Sequence, residues 1–324
     1  ITQKFPTHQF GWKVLGALLK QTGRVEESLV ASQKSVQLAP QDAEAHNILG
    51  TILLQLSRFN ESEASLRQAI ALKPDYVIAH FNLGVMLQEL DRSDEAEASY
   101  RQTIALKPGY AEAHCNLGAT LRELGRLEEA KASYAQAVVL KPDYVIAHFN
   151  LGVMLQELDR LDEAEASYRQ VIALKPDYAQ AHNNLGTILQ EKGRLKDALV
   201  SFSQAIALKP DYAEARYNLG AIFFITKNYD MALKEFELTD IALSKSYAIR
   251  CSYLQDKESI FYEKLDSLIS QGEANAIIGS VTGCSEIKYG IKRSNPFCNK
   301  PLQYVLSTDL HEQYDFEEIF VKTA

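Results

Sequence analysis

The sequence predicts an all-α solenoid of stacked helix-turn-helix units, and two features that share a 34-residue period carry this prediction. Leu-Gly pairs recur at this spacing from residues 15–16 to residues 219–220, without one insertion or deletion. A two-helix unit cannot bury both of its apolar faces alone, so its stability has to come from stacking on its neighbours. Prolines keep the same step, at Pro6, Pro40, Pro74, Pro108, Pro142, Pro176 and Pro210.

The repeat at residues 75–108 shows how each element follows from the residues. Apolar side chains recur at helical spacing over 76–90, which predicts the first helix. A polar turn follows at 91–94, where sister repeats carry Gly125 and Gly193, and glycine suits a helix C-terminal cap. The second helix ends at the periodic proline, which lacks the N–H group that a continuing helix needs. The aspartate after a proline is expected to cap the next helix, at Asp75, Asp143, Asp177 and Asp211, the last forming a capping box with Glu214.

The glycine of each Leu-Gly pair lies mid-helix, where it costs about 1 kcal/mol relative to alanine. Its recurrence therefore predicts the close approach of a neighbouring helix. The first repeat has Ser28, Ser32 and Ser35 where later repeats have larger or more apolar groups, so it is expected to pack more weakly. Residues 74–108 and 142–176 differ at only two positions, so the surface should repeat as well. The second helices carry a matching alanine and, four residues later, a large side chain, at Leu66, Tyr100, Tyr134, Tyr168, Phe202 and Phe236.

These residues resemble the tetratricopeptide repeat family, whose pattern combines Leu-Gly, alanine, aromatic residues and proline over 34 positions. Trp12 matches in the first repeat, and the resemblance covers about residues 7–240. It implies a right-handed superhelix in which the first helix of each pair lines a concave groove. We therefore expect four segments: a remnant of a preceding repeat at 1–8, seven repeats at 9–240, a divergent capping helix pair at 241–271, and a non-repeat segment of mixed α/β or irregular structure at 272–324.

Four kinds of periodic residue are expected to face this groove: a small residue directly after each Leu-Gly pair, and rows of asparagine, glutamate and aromatic residues. An asparagine amide both donates and accepts, so a row of them suits an extended peptide, much like the asparagine ladder of O-linked N-acetylglucosamine transferase repeats. The alternative is a hydrogen bond to a neighbouring helix. The asparagines are Asn82, Asn116, Asn150, Asn184 and Asn218.

The other two rows also leave alternatives open. A glutamate row favours a polar or mildly basic partner, or is a solvated face. An aromatic row, which shares its offset with Cys115 and Asn183, offers apolar anchors or packs within the array. The two rows are Glu89, Glu123, Glu157 and Glu191, and Phe81, Phe149 and Tyr217.

Several classes of function are disfavoured. The net charge of −8 suits a phosphate backbone poorly, so no nucleic-acid partner is expected. No run of 18 apolar residues predicts a membrane span, and four cysteines without a C-x-x-C pair favour reduced thiols and a cytoplasmic location. Lys13 and Arg122 stand too far apart for a clamp on acidic tails. Five histidines also follow the period, but each lies on a different repeat, so we expect helix packing or solvent exposure rather than metal binding, at His46, His80, His114, His148 and His182.

The C-terminal stretch 285–310 resembles the segment that precedes the catalytic domain in bacterial 2-oxoglutarate/Fe(II) oxygenases. Within this region, IKYGI and QYVLS are expected to be short strands. Such oxygenases need His-x-Asp/Glu and a distant second histidine. His311 is the last histidine and has Gln313 two residues later, so we expect no catalytic residues, metal or cofactor in this chain.

The sequence therefore predicts a scaffold that binds a protein or an extended peptide in its groove. Two alternatives place the chain in an enzyme, as the substrate-recruiting arm of an oxygenase whose catalytic domain lies beyond Ala324, or as an arm of an O-linked N-acetylglucosamine transferase-like enzyme. Self-association through the ends of the array is a further possibility. Because the period is already in progress at Ile1, the number of preceding repeats stays open.

Overall fold

The computed structural model describes residues 7–270, 281–282, 284–285 and 288–290, and its regular elements over this range are helices. The sequence prediction of an all-α repeat fold is thus confirmed. The helices are α1 (Gln9–Gln21), α2 (Val25–Leu38), α3 (Ala43–Gln55), α4 (Phe59–Leu72), α5 (Val77–Gln88), α6 (Ser93–Leu106), α7 (Ala111–Glu123), α8 (Leu127–Leu140), α9 (Val145–Glu157), α10 (Leu161–Leu174), α11 (Ala179–Glu191), α12 (Leu195–Leu208), α13 (Ala213–Ile225), α14 (Tyr229–Glu237), α15 (Ala242–Leu254) and α16 (Glu258–Ser270).

The helices divide into two compact units, Ile1–Pro176 with α1 to α10 and Asp177–Ala324 with α11 to α16. Within each unit, consecutive helices pack against each other as helix-turn-helix pairs, and the second helix of one pair packs on the first helix of the next. This is the arrangement of a repeat solenoid, because each pair buries its apolar faces against its neighbours.

The glycine turns are confirmed. Gly125 and Gly193 have φ angles of +73° and +71°, a backbone conformation that glycine adopts without steric cost. After α7, the Gly125 N–H donates to the Arg122 carbonyl at 2.9 Å and the Arg126 N–H donates to the Leu121 carbonyl at 2.8 Å. These two bonds form a Schellman motif that satisfies the last carbonyls of the helix.

The expected aspartate caps are wrong. The structure places the N-cap one residue later, on tyrosines that make no side-chain cap hydrogen bond, so the capping box of Asp211 with Glu214 does not form either. The reason is register, since the N-cap is the second residue after the proline. Only Asp42 among these turns has an aspartate there, and its carboxylate accepts from the Glu44 and Ala45 N–H groups at 2.9 and 3.2 Å. The mistaken caps are Asp75, Asp143, Asp177 and Asp211, and the N-cap residues are Tyr76, Tyr144, Tyr178 and Tyr212.

Close approach at the mid-helix glycines is confirmed. A Cβ atom on Gly84 would lie 2.7 Å from the ring of Tyr100, which is fully buried. The same contact recurs with Leu66, Tyr134, Tyr168, Phe202 and Phe236 opposite their glycines. In the first pair Gly16 instead faces Ser32, whose hydroxyl is buried without a hydrogen-bond partner among the described residues. The glycine therefore makes room for the large side chain of the second helix.

The end of the chain departs from expectation. In α16, Phe261, Leu265 and Leu268 are buried, whereas Ile260 is 39% exposed. The expected strand IKYGI is wrong for its described residues, because Lys288 and Tyr289 are helical. Tyr289 packs its ring against Tyr253 and Phe261, with centroid distances of 6.0 Å to each. The other expected strand, QYVLS, lies outside the described residues.

Candidate interaction surface

The first helices of successive pairs form an inner layer. In the unit Ile1–Pro176, α1 contacts α3, α3 contacts α5, and α5 contacts α7; in the unit Asp177–Ala324, α11 contacts α13. An open pocket of about 550 Å³ lies on α1, α3 and α5. Its lining consists of Ala17, Lys20, Gln21, Asn47, Ile48, Thr51, Gln55, Ile78 and Asn82.

Most of the predicted asparagines make a hydrogen bond towards the preceding repeat. The Asn82 amide nitrogen donates to the Asn47 side-chain oxygen at 2.8 Å, and Asn218 donates to Asn183 at 3.2 Å. Asn116 donates to the Tyr100 hydroxyl at 3.3 Å instead. The Asn150 amide nitrogen lies 3.9 Å from the Cys115 sulfur, one repeat earlier. Asn184 occupies the same position on α11 and is partly buried.

These internal bonds use only part of each amide. An asparagine side chain has two N–H donors and an oxygen with two lone pairs. The side-chain oxygens of four of these asparagines accept no hydrogen bond from any described residue, while one N–H of each is engaged. The internal bond therefore orients the amide and leaves its oxygen available. The four are Asn82, Asn116, Asn150 and Asn218.

A polar chain that passes through the Tyr100 hydroxyl connects the asparagine row with the glutamate row. Asn116 donates to the Tyr100 hydroxyl, which donates to the Gln88 side-chain oxygen at 3.0 Å. Gln88 then donates to Glu123 at 3.3 Å, and the Ser93 hydroxyl donates to the same carboxylate at 3.0 Å. Burial raises the pKa of the Tyr100 hydroxyl far above its usual value, so it stays protonated and can donate. The sequence analysis did not predict this polar chain. Its signal in the sequence is Tyr100, at a position where the later repeats carry Phe202 and Phe236.

The glutamate row is not uniform. Glu89 and Glu191 are exposed and make no ion pair with a described residue. Glu123 accepts from the polar chain, whereas Glu157 accepts from the Arg122 guanidinium, with an Nε–Oε1 distance of 2.9 Å. One carboxylate of the row is therefore neutralised by a neighbouring repeat.

The aromatic row makes packing contacts within its own unit. The ring centroid of Phe81 lies 5.8 Å from that of Tyr100 and 5.0 Å from that of Tyr110. Phe149 and Tyr217 make the equivalent contacts at 5.9 Å with the large residue of the second helix, Tyr168 and Phe236 respectively. At the same offset, Cys115 and Asn183 are buried. These contacts support the alternative that the aromatic row packs within the array.

The periodic histidines contact the preceding turn. In four of the five, the ring Nε2 lies 2.9–3.0 Å from the carbonyl oxygen of the proline six residues earlier, and the Arg216 Nε donates to the Pro210 carbonyl at 3.0 Å in the same way. Over the described residues, no group of three or more His, Cys, Asp or Glu side chains could hold a metal ion. The histidines with this contact are His46, His80, His114 and His148.

Ion pairs link successive second helices on the other side of the unit. Arg92 donates to Glu63 of α4 at 2.7 Å and to Glu95 of α6 at 2.7 Å, and Arg67 of α4 also reaches Glu95 at 3.1 Å. The hydrogen bond from Arg92 holds the pKa of the Glu63 carboxyl below its usual range. The same network recurs one repeat later with Arg126, Glu97, Glu129 and Arg101.

Family models decide the classification. A model described as "Tetratricopeptide repeat" matches residues 49–111, 115–179 and 155–202, and one described as "TPR repeat" matches 186–225. Together these matches cover more than half of the chain. The chain belongs to the tetratricopeptide repeat (TPR) family. Arrays of this family present extended concave surfaces to protein partners, so the chain is a TPR scaffold of the protein-interaction type.

Solved structures agree on the TPR fold. YrrB, described as a TPR protein with an unusual peptide-binding site, has a TM-score of 0.51 at 23% identity and is matched over 57% of this chain and 95% of its own. Pseudomonas aeruginosa pilF has a TM-score of 0.58 at 18% identity, over 64% and 95%. A TPR protein from Parabacteroides merdae has a TM-score of 0.54 at 14% identity, over 74% and 97%. A comparison with curated proteins found no match.

One observation bears on membrane insertion. Within the part of the chain that the structure describes, none of the TPR helices combines the length and apolar character needed to cross a bilayer.

Proposed function

We propose that the chain binds an extended peptide along the first helices of its TPR pairs, with asparagine side-chain oxygens accepting peptide N–H groups. The observation that carries this proposal is the row of amides that are oriented by an internal bond and keep an unoccupied oxygen. In the unit Ile1–Pro176 this row consists of Asn82, Asn116 and Asn150.

The internal bonds favour binding rather than opposing it. A side chain that is already held in one orientation loses less conformational entropy when a ligand binds. Peptide backbone N–H groups are present whatever the ligand sequence, so a row of acceptors tolerates many sequences. The peptide-binding site of the similarly folded YrrB supports the same use of this fold.

The other rows set the preference of the groove. The exposed carboxylate of Glu89 and the partly satisfied carboxylate of Glu123 favour polar or basic peptide side chains. Phe81 and Phe149 are partly buried, so their remaining exposed edges offer small apolar contacts. In the unit Asp177–Ala324 we assign the same roles to Asn218, Glu191 and Tyr217. Asn184 belongs to the same row, although its side-chain oxygen already accepts from the Asn183 amide at 3.4 Å.

Selection from a random phage-displayed peptide library against the full chain tests the function directly. The affinity of a selected peptide is then measured by fluorescence anisotropy for the wild type and for the Asn82→Ala/Asn116→Ala/Asn150→Ala variant. Loss of three acceptors should weaken binding by about tenfold or more. Asn60→Ala, at an exposed position on α4, is the matched control and should bind like the wild type.

Thermal unfolding of both variants separates binding from folding, since the triple variant also loses internal hydrogen bonds. Equal peptide affinity of the triple variant and the wild type would show that these asparagines do not bind the peptide. The two enzyme-arm alternatives, self-association and the cytoplasmic location stay predictions. The stretch 285–310 that suggested an oxygenase lies largely outside the described residues.

A further inference from the structure

The pocket on α1, α3 and α5 contains a positive charge without a partner. Lys20, near the C-terminal end of α1, lines this pocket and is half-buried. It makes no hydrogen bond or ion pair with any described residue. On the same helix, Lys13 contrasts with it, because the Lys13 ammonium lies 3.0 Å from the Asp42 carboxylate and 2.6 Å from that of Glu44.

Acidic side chains are missing from the lining of this pocket. The glutamate row begins at Glu89 of α5, and the equivalent positions of the two preceding repeats are Gln21 and Gln55. Both glutamines line the pocket, where Lys20 is the one ionisable side chain. In a chain with a net charge of −8, the inner surface is therefore locally positive at α1 and negative towards α5 and α7.

The protein tolerates this unpaired charge at a cost. Partial burial lowers the pKa of Lys20, because leaving water disfavours the charged form and no neighbouring carboxylate compensates. The pKa of Lys13 is raised instead, since the bonds to Glu44 and Asp42 outweigh its desolvation. A ligand carboxylate placed beside Lys20 would supply the missing compensation.

We propose that this pocket takes an acidic side chain of the bound peptide, with Lys20 as its ion-pair partner. The inference rests on the proposed function and adds direction and specificity to it. Asn82 lies in the same lining and accepts a backbone N–H of the peptide. The apolar side chains of Ile48 and Ile78 contact the aliphatic part of the ligand. An acidic peptide residue that contacts Lys20 on α1 and a basic peptide residue that contacts Glu89 on α5 together fix the direction in which the peptide runs.

Library selection against three versions of the full chain tests this proposal. Wild type should enrich Asp or Glu at one peptide position, Lys20→Gln should lose this enrichment, and Lys20→Glu should enrich Lys or Arg there instead. Lys196→Gln is the matched control, because it removes the same charge from an exposed site on α12 and should leave the enrichment unchanged.

A double-mutant cycle measures the contact itself. One peptide selected on wild type is compared with the same peptide carrying the amide in place of its acid, each against wild type and Lys20→Gln. Wild type should prefer the acid by about tenfold, and Lys20→Gln should bind both peptides equally. Thermal unfolding confirms that the variant is folded.

The outcomes separate the two proposals. Peptides that bind the wild type without acidic enrichment, or an acid preference that persists in Lys20→Gln, would overturn the role of Lys20 and leave the peptide groove intact. A library that yields no binding peptide at all would overturn both.

Discussion

Replacing Gly84 by alanine should destabilise the third helix pair, although alanine is the better helix former. The added Cβ atom would lie 2.7, 2.9 and 3.0 Å from three ring atoms of Tyr100. Carbon atoms pack best at about 3.5–4.0 Å, and the fully buried ring has nowhere to move. Overpacking of this kind costs about 1–3 kcal/mol, against a helix-propensity gain of about 1 kcal/mol. Because three ring atoms lie at 3.0 Å or less, the cost should fall in the upper part of this range, at about 2–3 kcal/mol, which leaves a net loss of about 1–2 kcal/mol.

Gly16→Ala is the matched control within the same chain. Its Cβ would lie 2.3 Å from the Ser32 hydroxyl oxygen, but the next nearest atom is 3.4 Å away. Rotation of the serine side chain removes this clash, so the helix-propensity gain should remain and the variant should be as stable as the wild type or more stable.

Hydrogen–deuterium exchange with mass spectrometry resolves the effect by helix, which suits a repeat array that need not unfold in one step. Gly84→Ala should speed exchange in α5 and α6 by about 5–30-fold, the factor that corresponds to 1–2 kcal/mol. Gly16→Ala should leave exchange in α1 and α2 unchanged or slower. Unchanged exchange in α5 and α6 of Gly84→Ala would show that the ring contact does not set the glycine requirement.

Four further variants probe the polar networks by thermal unfolding. Tyr100→Phe should cost about 1 kcal/mol, because it removes the two partly buried hydrogen bonds of the Tyr100 hydroxyl and so breaks the polar chain. Tyr134→Phe removes a hydroxyl without a described hydrogen bond and should cost less, and equal losses would refute the role of the chain. Lys131→Glu should add up to about 1 kcal/mol, because it extends the ion-pair network of the second helices to a position where earlier repeats have glutamate, while the Lys131–Glu128 pair that it removes is exposed and contributes little. A lower melting temperature would contradict this. Arg92 lowers the pKa of Glu63, so the Glu63–Arg92 pair stabilises the fold fully above the usual glutamate pKa of about 4.3. This stabilisation is lost as the pH falls through the lower pKa of the folded state. Glu63→Gln should therefore flatten the acid side of the plot of stability against pH. An unchanged acid profile would show that this pair contributes nothing.

The sequence predicted the core because the packing is local and periodic. A glycine and a large side chain sixteen residues later, such as Gly84 and Tyr100, meet in the six pairs from α3–α4 to α13–α14, so one of these repeats reveals the contact for the others. The N-caps were mispredicted because capping depends on a single residue of register. Asp42 is one position later than Asp75 relative to its proline, and this shift alone separates a cap from an uncapped turn.

The candidate site was only partly predictable. Helical spacing placed the asparagines on the first helices, but it could not show that Asn82 binds Asn47 while its oxygen stays available. The significance of Lys20 depends on what is absent across the pocket, which no local pattern records. At the C-terminal end, the composition around Tyr289 predicted a strand, whereas Tyr289 is helical and packs its ring against Tyr253 and Phe261.

The reach of the described contacts has a mechanical consequence. Asn82 binds a residue 35 positions earlier, and the Tyr289 hydroxyl donates to the Tyr253 carbonyl 36 positions earlier. A chain pulled from its ends would therefore lose one repeat without loosening distant ones. Each release would free about 34 residues, or roughly 110–120 Å of extended chain. Stretched between two attachment points, the protein would lengthen in even steps and act as an extensible tether.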